Sequence, residues 1–115
     1  MRIWDISPSL LCRQHLLGEH RELHAIWSVI TNNKKGYSKH PETLRWVGKL
    51  KALSLRHQKL VREMKKRNYI HKSDLLISLA TGNKKQTILI NTVNEQIEIL
   101  KKKDCSCFSF SVGEE

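Results

Sequence analysis

The sequence predicts an all-α chain: a single compact domain of three main helices with an extended N-terminal arm over residues 1–103, followed by a loosely held tail, residues 104–115. Three observations predict it. A chain of 115 residues has the length of one domain and buries roughly two-thirds of its unfolded surface, enough to fold without disulfides or a structural metal. Apolar residues recur at a helical spacing in three long segments. The one β-like run, Ile88 to Ile90, falls within the i, i+4, i+8, i+11 series Leu89, Val93, Ile97 and Leu100, which is a helical period.

Taken in order, residues 1–6 (MRIWDI) have no helical period and form the arm. Ser7-Pro8 supplies an N-cap and an N1 proline. A first helix, broken once near its start, runs to about Ile30, with Cys12, Leu16, Leu23, Trp27 and Ile30 on its buried side. Asn32 to Gly36 end it. A second helix is expected from Pro41 to about Arg67, burying Val47, Leu50, Leu53, Leu60, Val61 and Met64 and leaving Lys49, Lys51, Arg56, Lys59, Arg62, Lys65 and Lys66 mostly outside. Ser73-Asp74 caps a short apolar helix, Leu75 to Ala80, stopped by Gly82-Asn83. The last helix is expected from Thr87 to Lys102.

Charge narrows the function. Lys and Arg number 21 against 11 Asp and Glu, a net +10 with a pI near 9.8. Such self-repulsion is relieved by a polyanion, and nucleic acid is the commonest, because each neutralised phosphate releases condensed counterions. The apolar runs fall far short of the roughly 20 residues of a membrane span, and the arm carries an acid and a proline follows it, unlike a signal peptide. A cytoplasmic protein is therefore expected, nucleoid-associated in a prokaryote or virus-infected cell, with no membrane association. Cys12, Cys105 and Cys107 match no four-ligand zinc spacing and are expected to be reduced thiols.

The first helix carries the polar residues of interest. On a wheel of 100° per residue, Glu22 and His15 fall together at one border of the apolar side, and Gln14 and Arg21 fall together further round. Gly18 and Ala25 lie between the pairs. The result is a shallow face rimmed by a carboxylate, an imidazole, an amide and a guanidinium, open to a planar or charged ligand. On the residues alone, a plain solvated surface with helix pairs among Glu19, Arg21 and Glu22 accounts for it as well.

Gln14-His15-Leu16, four intervening residues, then Arg21-Glu22-Leu23 closely resembles the signature of the pyrimidine-dimer DNA glycosylase/AP lyase family of phage endonuclease V type. Arg2-Ile3 resembles the family's start, immediately after its reactive first residue. The segment from Lys49-Leu50 to Arg67 is similar to its basic second helix, and Ile88 to Ile97 to its last. The resemblance covers most of the chain, with its specific motifs within the first 23 residues. It implies an all-helical domain of three main helices with the N-terminal arm lying across them.

The resemblance also implies a reaction: cleavage of a damaged pyrimidine's glycosidic bond, then a strand nick. The nucleophile is the α-amino group of the first residue, and a glutamate assists. Carried over, Met1 supplies the amine and Glu22 the carboxylate. An α-amino group of pKa about 7.7–8.0 is neutral far more often at pH 7 than a lysine, and an imine is the usual product of an amine nucleophile. The phage enzyme presents a threonine after loss of its initiator methionine. Here Arg2 is too large for methionine removal, so Met1 is expected to be retained.

Arg2, Gln14, His15 and Arg21 correspond to family positions that hold phosphates and sugar around the lesion. Ala25 stands where the family has a further arginine, a contact that Lys34 or Lys35 could replace. In place of the family's Trp- and Tyr-rich end, Phe108 and Phe110 either stack on an unstacked base or pack against the core. No cofactor and no metal ion are expected: His20 and His24 stand at i, i+4 and His57 and His71 elsewhere, but no spacing implies a third ligand. The partner is damaged double-stranded DNA; the protein is expected to be a monomer with no obligatory protein partner. Two alternatives stay open, the same imine chemistry on oxidised pyrimidines or abasic sites, and a non-catalytic nucleic-acid-binding protein.

Overall fold

The computed structural model describes residues 2–36, 38–71 and 74–103. Met1, Phe108 and Phe110, and with them the expected 104–115 tail, lie outside the described residues. The described chain is helical: α1 spans Arg13–Thr31, α2 Pro41–Leu44, α3 Leu50–Lys66 and α4 Val93–Lys101, with single 3₁₀ turns at Pro8–Leu10 and Ile77–Leu79. An isolated bridge between Lys49 and Gly82 is the only β-type pairing among the described residues. None of their helices is long and apolar enough to cross a membrane.

The first helical segment has the break expected near its start. Pro8–Leu10 make one tight turn, Leu11 and Cys12 are extended, and α1 then starts afresh. Arg67, just past α3, bridges the break by donating through Nη2 to the carbonyls of Pro8 (3.2 Å) and Leu11 (2.6 Å).

Three expected elements differ. The helix expected from Pro41 to Arg67 is two helices, because Gly48 takes a left-handed φ of 76° between them. Val47 is consequently exposed rather than buried. The first turn of α3 has orphan N–H groups, and those of Lys51 and Ala52 donate to the carbonyls of Thr81 and Asn83 at 2.8 and 3.1 Å. Gly82, at φ 85°, lets that segment lie against Gly48, where a Cβ would collide with the backbone.

The expected Leu75 to Ala80 helix shrinks to the turn at Ile77–Leu79. Leu75 is buried but Leu76, Ile77 and Leu79 are exposed, so no apolar face holds a longer helix. The last helix begins at Val93 rather than Thr87, because Thr92 forms a reciprocal capping box with Glu95. Leu89 and Val93 are therefore exposed, and only Ile97 and Leu100 of the expected stripe reach the core.

That core joins the arm to the helices. Ile3, Trp4 and Ile6 pack with Leu16, Leu23, Ile26 and Trp27 of α1, with Leu53, Leu60 and Met64 of α3, and with Trp46 and Leu100. Burial of Ile3, Trp4 and Ile6 takes the arm's main chain out of solvent and would leave its backbone groups unsatisfied if nothing bonded them. Polar side chains from α1, α3 and α4, and Arg45 just past α2, meet that need.

Candidate functional site

Four main-chain groups of the arm are bonded by side chains. The Trp4 N–H donates to Glu19 Oε1 at 3.1 Å, and the Asp5 N–H to Gln96 Oε1 at 2.8 Å. The Ile3 carbonyl accepts from Arg45 Nη2 at 3.0 Å, and the Ile6 carbonyl from Arg56 Nη1 at 2.9 Å. Each of these side chains is itself fixed. Arg56 grips the Glu19 carboxylate with Nε at 2.6 Å and Nη2 at 3.0 Å. Arg45 pairs with both Glu42 and Asp5, and Gln96 Nε2 donates back to Asp5 Oδ2 at 3.1 Å. Burial pushes the Glu19 carboxyl upward against the opposing pull of Arg56 and the Trp4 amide.

None of Asp5, Glu19, Arg45, Arg56 or Gln96 is evident from the motif. Arg56 was expected on the outer face of its helix, yet it pairs across α1 and α3. Glu19 had a readable signal: with Leu16, Leu23, Ile26 and Ile30 it completes a helical stripe, and it is 2 % exposed. A carboxylate in an apolar stripe calls for a cationic partner.

The arm meets α1 at His15 and Glu19. His15, Glu19 and Glu22 stand at i, i+4 and i+7, one to each turn of one side. The Trp4 indole meets the His15 ring edge-on with centroids 6.0 Å apart, while its main chain binds Glu19. Glu22 is half-buried one turn beyond, about 4.5 Å of helix rise further on. The Arg2 guanidinium lies over Trp4, 4.9 Å from the ring centroid, and donates to Asn91 Oδ1 at 3.0 Å. Trp4 thus links Arg2 to His15.

His15 is held below its ordinary pKa of 6.5, chiefly by burial and secondarily by the charge of Lys103. Its Nδ1 sits 3.1 Å from the Cys12 sulfur. Gln14 and Arg21 are exposed on the next face round. A Cβ on Gly18 would meet nothing within 4 Å, so the face between the two pairs is uncovered among the described residues. Lys34 and Lys35 are exposed in the turn after α1, whose end lies roughly 14 Å beyond Glu22. They are not brought beside Glu22. A separate basic groove runs between Ile6–Ser9 and α3, lined by Arg56, Lys59, Arg62 and Lys66.

The fold also assembles what the sequence spacing did not imply. His20 and His24 of α1 meet His57 of α3 and His71 of the following loop, with one ring nitrogen from each lying within 4.8 Å of the others. Burial and the neighbouring imidazoles push His20 down to about 4.

No curated protein and no solved structure gives a significant match to the chain. A family profile does match, that of the pyrimidine dimer DNA glycosylases, over residues 1–77, which include the arm and α1 to α3. With two-thirds of its length covered, the chain belongs to the pyrimidine dimer DNA glycosylase family.

Proposed function

We propose that the protein excises ultraviolet-induced pyrimidine dimers from duplex DNA and nicks the strand at the resulting site, using the Met1 α-amine as nucleophile. The amine attacks C1′ of the damaged nucleotide. The bond from C1′ to the base breaks with its electron pair passing to the base, the amine loses its protons, and the sugar ring opens to an imine. Removal of a C2′ proton then expels the 3′ phosphate by β-elimination, and water hydrolyses the imine to free the protein. Glu22 is the acid/base partner on α1, and as a carboxylate it also stabilises positive charge developing on the sugar.

The observation that carries this reading is the fixing of the arm at four main-chain groups, with Trp4 held against His15 and Glu19 on the side of α1 where Glu22 also stands. A nucleophile on an arm gains rate only if it is held in place before the substrate arrives. Gln14, Arg21, His15 and Arg2 bind phosphate and sugar around the lesion in this scheme, with Lys34 and Lys35 reaching DNA further along. His15, neutral at neutral pH, contributes as a hydrogen-bonding group. Flipping or unstacking the damaged base costs a few kcal/mol, least at a lesion, which suits a protein without a base-reading motif. The protein acts as a monomer, in the cytoplasm, where its DNA lies.

The test is borohydride trapping on a duplex with one thymine dimer and on a duplex with one abasic site. Covalent capture on both supports the proposal. Capture on the abasic duplex alone assigns the imine chemistry to another lesion, and capture on neither leaves a DNA-binding protein without this activity.

A further inference from the structure

Four of the six histidines converge on one point between α1, α3 and the loop after α3. His20 and His24 stand one turn apart on α1, His57 projects from α3, and His71 lies four residues past Arg67, the α3 cap. The rings are packed at centroid distances of 4.6 to 5.4 Å. The His24 and His57 Nε2 atoms face each other at 3.2 Å. The Nε2 atoms of His20 and His71 are buried without a hydrogen-bond partner among the described residues. Buried polar nitrogens are normally satisfied, and an ion held between the four rings would satisfy these two.

The geometry points to a zinc site built from His20, His24, His57 and His71. Zinc takes four nitrogen ligands at about 2.0–2.1 Å in a tetrahedron, which places those nitrogens roughly 3.3 Å apart. The 3.2 Å pair already has that spacing, and the whole set lies within 4.8 Å, so closing on an ion takes side-chain shifts rather than a change of fold. Imidazole is a suitable donor for zinc. Asp74 Oδ1 lies 3.6 Å from His71 Nδ1, on the side of the ring where metal-bound imidazoles commonly donate to a carboxylate, while the buried Nε2 is on the other.

The site is structural. All four positions of the coordination shell come from the chain, leaving none open for substrate. His20 and His24 also lie about 160° round α1 from Glu22, so the ion does not take part in the imine chemistry. It would tie the loop that carries His71 to the α1/α3 pair.

The experiment uses the untagged full chain, stripped with a chelator and titrated with zinc. One equivalent binds, and at a hundredfold excess over Kd the thermal midpoint rises by about 10 °C. Cobalt(II) in its place gives the intense visible bands of a tetrahedral nitrogen site with no thiolate charge-transfer band. His71→Ala and His57→Ala each lower zinc affinity by at least about tenfold, whereas His40→Ala, outside the cluster, leaves it unchanged. Absence of a zinc-dependent shift in the unaltered protein overturns the proposal. So does a cobalt–thiolate band, or a His71→Ala variant that binds as tightly as the parent.

Discussion

The main-chain N–H of Trp4 donates to Glu19 Oε1 across 3.1 Å, and this bond fastens an arm without secondary structure to the middle of α1. The carboxylate that accepts it is fully buried and held by the two prongs of Arg56 from α3. One ion pair therefore sets both the α1/α3 contact and the course of the chain toward its first residue. A second arginine, Arg45, paired with both Asp5 and Glu42, holds the arm from its other side.

Arg56→Ala leaves the Glu19 carboxylate buried without its charge partner. Breaking such a pair from one side costs about 3–5 kcal/mol, readable as a fall in unfolding free energy in urea. Glu19→Gln keeps the Trp4 bond and removes the buried charge, so it costs less than Arg56→Ala. Equal losses in the two variants would show that the pair does not work as described.

Gly18→Ala raises stability, by about 1 kcal/mol as for glycine replaced within a helix, because a Cβ there meets nothing. Gly18→Leu folds as well but obstructs the uncovered face, and weakens binding to a dimer-containing duplex tenfold or more, about 1.4 kcal/mol. Unaltered binding by Gly18→Leu would move the DNA away from this face.

His15 titrates below 6.5 in the folded protein, because burial and Lys103 oppose its charging. Between its folded value and 6.5 the unfolded chain binds the proton and the folded chain does not. His15 therefore lowers stability as pH falls through 6.5, and its full contribution is present above that value. An NMR titration of the His15 ring gives the folded value directly, and His15→Gln flattens the acid side of the stability profile. A ring titrating at or above 6.5 would contradict this.

The helical class, the arm and the break near Pro8 were legible because each has a local cause: period, absence of period, and a proline. The spacing of Gln14, His15, Arg21 and Glu22 on one helix gave only a shared polar face, and their roles came from the family resemblance. What escaped were relations across the chain. Arg56 read as a surface cation and Arg45 drew no notice, since nothing local says that Glu19 and Asp5 lie opposite them. The two helices expected from Pro41 and Thr87 had the right period, but Gly48 and the Thr92–Glu95 capping box decided where they start. His20 and His24 showed half of a ligand set, and only packing of α3 against α1 supplied His57 and His71.

Glu22→Gln binds damaged DNA with little change, since the face around it keeps its cations, but nicks it about 100-fold or more slowly, the usual contribution of acid–base assistance. Single-turnover nicking beside a binding isotherm separates the two effects. Nicking at the unaltered rate would remove Glu22 from the reaction.

The central claim is that the Met1 amine forms the imine. The most direct measurement is peptide mapping, by mass spectrometry, of the adduct trapped with borohydride on a thymine-dimer duplex. The account predicts a nucleotide remnant on the N-terminal peptide, attached to the α-nitrogen of a retained, unblocked Met1. A remnant on a lysine, or a mature chain that starts at Arg2 or carries an acylated Met1, would contradict it.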